Sequence, residues 1–151
     1  MKIMKKIISV FAALTLAVTV PAQVFAVSGT SAQSGMDQLT ISDTEGFLKF
    51  AEDCRLDSYS SNLYVTLTAD IELSGEYTPI PVFGGVFDGA GHTVSGVKVT
   101  ADGSNVGLFR YIQRGALVKD LTVEGNISPS GSGENVGGIA GSNSGHITGG
   151  T

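Results

Sequence analysis

Glycine crowds the second half of this chain. Seventeen of its 21 glycines lie between Gly84 and Gly150. A tract of that composition is either disordered or repetitive. Here the glycines are interleaved with Val, Ile, Leu and Phe, which need burial, so a repeat is the reading. Thr93-Val94-Ser95-Gly96-Val97-Lys98-Val99-Thr100 lies on Leu117-Val118-Lys119-Asp120-Leu121-Thr122-Val123-Glu124 at an offset of 24. Val94 then matches Val118, Val97 matches Leu121 and Val99 matches Val123. The spacing of three and then two breaks strict alternation at the same point in both copies. That break marks a bend between two short strands, or a bulge. A second echo sets Asn105-Val106-Gly107-Leu108-Phe109 on Asn135-Val136-Gly137-Gly138-Ile139 at an offset of 30, with Gly115 on Gly145. The polar stretch 126–134 (NISPSGSGE) lengthens one copy and separates the two offsets.

Units of this length, with two or three short strands and glycine turns each, build a solenoid. Each strand pairs in parallel with its counterpart one coil along, at the ~4.8 Å spacing of neighbouring strands. The alignment predicts three interior ladders: Val94 with Val118 and Ile147, Val97 with Leu121, and Val99 with Val123. Asp88-Gly89 and Gly91 supply sharp turns at dihedrals that a branched residue resists. The expected fold is therefore all-β: a parallel β-helix, right-handed by the general rule for parallel crossovers.

Two segments precede the repeats. Over residues 41–56, Ser42-Asp43-Thr44-Glu45 fits a capping box with Ser42 as N-cap. Phe47, Phe50, Ala51 and Cys54 then share one helical face, with Lys49, Glu52 and Asp53 opposite. Such an amphipathic helix suits the role of an N-terminal cap, because a solenoid end exposes apolar side chains and unpaired strand edges. Over residues 63–73, Leu63, Val65, Leu67, Ala69, Ile71 and Leu73 alternate with Tyr64, Thr66, Thr68, Asp70 and Glu72. This is a half-buried strand, or two strands with a bend near Ala69-Asp70.

The N-terminus reads as an export signal. Lys2, Lys5 and Lys6 precede an uncharged apolar run at 7–20, and Val24 and Ala26 stand at −3 and −1 to a cleavage point. The run is shorter than the ~20 residues a spanning helix needs. Cleavage after residue 26 leaves six Lys and Arg against fourteen Asp and Glu, a net charge of −8. That balance speaks against nucleic acid and anionic lipid as partners. The single cysteine, Cys54, excludes an internal disulfide. It is a reactive thiol or a small buried hydrophobe, and its position on the apolar helix face favours the second.

The expected organisation is a signal peptide at 1–26, a Ser- and Gly-rich flexible leader at 27–38, and one repeat domain at 39–151. Within that domain, 39–60 form the N-terminal cap and 61–151 the coils. No closing segment follows Gly149-Gly150-Thr151, so a truncated solenoid with further repeats or anchoring modules beyond is expected.

Segments "LTADIELSG" (67–75), "TPIPVFGGVFDGAGHTVSGV" (78–97), "NVGLFRYI" (105–112), "VKDLTVEGNI" (118–127) and "NVGGIAGSNSGHI" (135–147) resemble bacterial surface proteins with GLUG motifs, which are similar to pectin-lyase-type β-helices. The chain departs from their pattern at Arg110, where glycine commonly follows "GLF", and at Ala90, where Asn is common in "FDGNGH". The resemblance implies a secreted or surface location in a Gram-positive bacterium and no single activity. Some such proteins carry these repeats beside peptidase domains, others beside wall-anchoring modules.

Candidate chemistry is sparse. Asp88 and His92 sit four apart and form a conceivable metal or acid/base pair. The plainer reading is a turn aspartate and a solvated imidazole. No HExxH motif occurs. His146 is isolated in a glycine-rich turn. At the offset of 24, Asp88 falls on Ile112 and Asp120 on Gly96, so acids do not converge as a glycosidase or Ca²⁺ site requires. Arg110, Arg114 and Lys119 form a small basic group that could take an anionic sugar or be scattered surface charge. Asp70, Glu72 and Glu76 suit edge solubility. The expectation is no catalytic, metal or cofactor-binding residue. The expected function is a non-catalytic extracellular stalk or binding module, adhesin-like, with an extracellular protein or glycan as partner. The alternative is the leading part of a polysaccharide-active β-helix enzyme or of a surface peptidase.

Overall fold

The computed structural model describes residues 35–100, 103–130 and 135–151. The expected export signal and residues 27–34 of the expected leader lie outside the described residues. The described chain runs β1 (Asp37–Ile41), α1 (Thr44–Asp53), β2 (Leu63–Leu67), β3 (Ile71–Glu72), β4 (Val86–Asp88), β5 (Thr93–Val99), β6 (Phe109–Ile112), β7 (Leu117–Lys119), β8 (Thr122–Ile127), β9 (Ala140–Asn143) and β10 (His146–Thr148).

All strand pairing is parallel. One sheet stacks in the order β1-β2-β4-β7-β10, a second in the order β3-β5-β8, and a third joins β6 to β9. Ile80 and Phe83 extend the third sheet by bridging to Phe109 and Ile112 of the next coil. The fold is an all-β parallel β-helix with one short helix. The period-2 stretch over 63–73 resolves into two strands. Thr68-Ala69-Asp70 form the corner between them, and Leu63, Val65, Leu67, Ile71 and Leu73 are all buried.

The interior ladders differ from those expected. Val118 stacks on Phe87, not Val94, and Val94 stacks on Val123. Val97 lies opposite Gly125, not Leu121, and Val99 opposite Ile127, not Val123. Only the step from Val118 to Ile147 is as expected. The reason is local. The two breaks in alternation that look alike in sequence are different structures. In the first copy it is a bulge inside β5, where Val94 to Val97 spans one residue more than the facing Val123 to Gly125. In the second copy it is the corner between β7 and β8, turned at Asp120 with φ +50°. Aligning a bulge with a corner slid one coil past the other. The longer-offset echo was sound at its start: Val106 bridges Val136, and the Asn135 side-chain amide donates to Asn105 Oδ1 at 2.9 Å.

Gly96 carries the bulge. Its φ is +69°, and a Cβ there would run into the Leu73 carbonyl oxygen of the coil before. The position therefore demands glycine on two counts.

The helix begins one residue later than expected. Asp43, not Ser42, is the N-cap, and its Oδ1 accepts the Gly46 amide at 2.7 Å. A carboxylate at a helix N-terminus interacts favourably with the helix dipole, which a hydroxyl cannot match. Phe47, Phe50 and Cys54 are buried as the apolar face required. The Thr44 hydroxyl donates to the Glu72 carbonyl at 2.9 Å and ties the helix to β3. β1, which alternation had not revealed, pairs with β2 beside it and begins at Asp37 inside the expected leader.

The core is more aromatic than the valine pattern suggested. Phe50 meets Phe83 and Phe87 at ring-centroid distances of 6.1 and 5.8 Å. Phe109 meets the same two rings at 5.2 and 5.5 Å, and Phe47 meets Tyr77 at 6.2 Å. The helix thus plugs the solenoid with rings rather than lying flat over it. Burying each such side chain stabilises the fold by about 1.5–3 kcal/mol.

Candidate functional site

The outward face of the five-stranded sheet carries a polar cluster centred on Asp88. Parallel register sets Thr40, Thr66, Asp88, Lys119 and Thr148 in one column. Asp88 is central, with only 14% of its side chain exposed. Its Oδ1 accepts the Ala90 amide at 2.9 Å. Its Oδ2 accepts the Tyr64 hydroxyl at 2.8 Å and pairs with the Lys119 ammonium. Partial burial alone would raise the Asp88 pKa. The donors Lys119, Tyr64 and Ala90 outweigh it and hold the carboxyl below its usual range. The hydrogen bond to Asp88 pushes Lys119 up. Both shifts favour the charged pair, which is the wrong direction for a proton donor or a neutral nucleophile at pH 7. Asp88 clasps three coils through one carboxylate.

The structure gives Asp88 and His92 different partners. His92 Nδ1 faces Asp70 Oδ1 at 3.1 Å, and the same oxygen accepts the Thr93 amide at 3.0 Å. The Thr93 amide first, and His92 second, lower the Asp70 pKa. This is a corner-to-corner contact between successive coils, with the Asp70 side chain 75% exposed. The contact orients the imidazole and directs Nε2 away from the carboxylate. Sequence reasoning missed it because Asp70 and His92 are 22 residues apart and only the true register brings them together.

The basic group is divided. Lys119 belongs to β7 of the first sheet and is paired with Asp88, whereas Arg110 belongs to β6 of the third sheet and Arg114 to the turn after it. His146 stands on β10 opposite Leu117, on a strand rather than in a turn. Cys54 is wholly buried, and burial pushes its thiol up to about 12, so it behaves as a core side chain. Among the described residues no three His, Cys, Asp or Glu side chains are grouped to hold a metal ion. None of the described helices is long and apolar enough to cross a membrane.

Two concavities flank α1. A groove of about 240 Å³ runs between the helix and residues 76–81, with Leu48, Ala51, Arg55, Tyr77 and Pro79 in its walls. A cavity of about 170 Å³ opens between the helix and β1, walled by Leu39, Ile41, Phe50 and Tyr59, with Lys49 and Asp53 at its rim. Lys49 and Asp53 pair at 2.8 Å.

Fold and surface together define a parallel β-solenoid whose best-formed polar cluster binds coil to coil. No family model, no curated protein and no solved structure matches the chain.

Proposed function

We propose that this chain is a non-catalytic extracellular repeat domain, exported by the signal at 1–26 and displayed at the surface of a Gram-positive cell as a stalk or binding module for a protein or glycan. The observation that carries the reading is the use made of the outward ionisable groups. Asp88, the most buried carboxylate of the outer face, has both oxygens engaged by three donors from its own and neighbouring coils. A group so engaged stabilises a rod and offers nothing to a substrate. The GLUG-like segments and the acidic balance of the exported part support the same location.

A second reading rests on one contact. Asp70 orients His92 as a general base is oriented, so a β-helix enzyme acting on polysaccharide remains the rival. Incubation with acidic polysaccharides, read by appearance of unsaturated or reducing ends, separates the two. The stalk reading expects no turnover. Turnover that disappears in His92→Ala or Asp88→Ala would overturn it. Fractionation of a Gram-positive host expressing the gene tests location, with the chain expected in the wall or the medium and its retention in the cytosol as the contrary result.

A further inference from the structure

We infer that the groove of about 240 Å³ between α1 and residues 76–81 is a docking site for a basic polypeptide segment, in which an arginine or lysine stands beside an aliphatic residue. This partner chemistry narrows the binding-module reading, on which it rests. One wall of the groove follows from the placing of two prolines. Ile80 turns both of its main-chain groups to the following coil: its N–H donates to the Leu108 carbonyl at 3.0 Å, and its carbonyl accepts the Arg110 amide at 2.7 Å. Neighbours in an extended segment alternate sides. Pro79 and Pro81 therefore aim their carbonyls the other way, to the side on which α1 lies. Neither has an N–H to offer. Such an edge refuses an added strand and presents acceptors alone. Among the described residues no donor bonds the carbonyl of Pro79 or Pro81.

The opposite wall is apolar and the rim is acidic. Leu48 and Ala51 line the groove from α1, with Glu52 beside them and Glu76 across. Glu76 is held in place by the Thr100 hydroxyl, which donates to its Oε1. Arg55 also reaches the groove, but it is paired with Glu52 at 2.9 Å. Both side chains of that pair are more than half exposed, so opening it costs little. Residues 43–57 carry five carboxylates against two cations, and both cations already have carboxylate partners. Lysine and arginine match this groove. Their stems cover apolar surface while the charged head stays among polar groups, and they donate hydrogen bonds without accepting any.

The surroundings point to a polypeptide. Among the described residues the exposed large apolar side chains are Leu48, Leu56 and Val136. Leu48 lines the groove, and Leu56 follows Arg55 at its rim. A free cation would leave both leucines wet. A segment whose basic residue has Leu, Ile or Val as a neighbour covers them while its head reaches Glu76 and the proline carbonyls. A second copy of this chain fits the groove badly. A two-fold contact of this face with itself is self-complementary only in shape, and it would set Glu52 and Glu76 against carboxylates of the same face.

Fluorescence anisotropy on the full chain tests the site. The probe is a labelled Gly- and Ser-based peptide in which two arginines flank a leucine, and its counterpart carries glutamates in place of the arginines. The arginine peptide should bind and the glutamate peptide should not. Leu48→Gln and Glu76→Gln should each weaken binding by about threefold or more, with an unchanged circular dichroism spectrum showing that the fold persists. Glu124→Gln removes the same charge from β8, outside the groove, and should leave the affinity as it was. No binding of the arginine peptide, equal binding of the glutamate peptide, or folded Leu48→Gln and Glu76→Gln proteins that bind like wild type would overturn the inference. A loss in Glu124→Gln equal to that in Glu76→Gln would do the same, by reducing the effect to overall charge. So would a dimer in sedimentation that Leu48→Gln dissolves, which would give the groove to a second copy. None of these outcomes touches turnover or location, so the groove and the stalk reading fail separately.

Discussion

Ala90 sits at φ +50°, in the left-handed region. Among the described residues, the other non-glycine positions with positive φ are Asn105, Asp120 and Asn135, whose short polar side chains tolerate that conformation. Alanine has no such compensation and costs roughly 1–2 kcal/mol relative to a relaxed backbone. Ala90→Asn or Ala90→Gly should therefore raise stability by about 0.5–1 kcal/mol in urea denaturation. A loss would show that the Ala90 methyl makes a contact worth more than the strain. Asp88 makes the opposite prediction. Asp88→Ala removes a charge-assisted cluster and should cost about 1–3 kcal/mol. Its pH dependence follows from the two shifts. The depressed folded-state pKa of Asp88 stabilises above its unfolded value near 3.9 and loses that contribution as pH falls through the folded value. The raised pKa of Lys119 stabilises below its unfolded value near 10.4 and loses that contribution as pH rises through the folded one. Wild-type stability should thus hold a plateau between those limits, and Asp88→Asn should flatten the acid limb. The site was only half legible in sequence. A turn aspartate at Asp88 was readable from Asp-Gly, but its partners Tyr64 and Lys119, 24 and 31 residues away, depend on register.

At the scale of elements, periodicity carried well where one face is buried and poorly where the chain bends. The alternation over 63–73 and the apolar face of α1 both stand in the structure, because burial itself imposes those periods. The cap shifted from Ser42 to Asp43: the two are adjacent and equally good cap residues, and only Asp43 adds a negative charge at the helix N-terminus. β1 was invisible because DQLTI is short and its neighbours to the N-terminal side look like a linker. The equivalence of Val94 with Val118 failed because a bulge and a corner produce the same apolar spacing. What the helix contributes can be measured. Phe50 is 1% exposed and touches three other rings, Phe47, Phe83 and Phe87. Phe50→Ala should cost about 3–5 kcal/mol, a large share of the ~5–15 kcal/mol typical of a domain. A cost below about 1 kcal/mol in urea denaturation would mean that the helix does not plug the coils.

For the molecule as a whole, the claim on which the rest depends is the stacking register. Strands pair with partners between 22 and 31 residues away, so one register defines the core, the Asp88 clasp and the Asp70–His92 contact. Interstrand backbone contacts observed by nuclear Overhauser effects in isotope-labelled protein test it most directly. The account predicts amide-to-Hα contacts that link β4 to β7 with Phe87 beside Val118, and β5 to β8 with Val94 beside Val123. Contacts placing Val94 beside Val118 and Val97 beside Leu121 would contradict it.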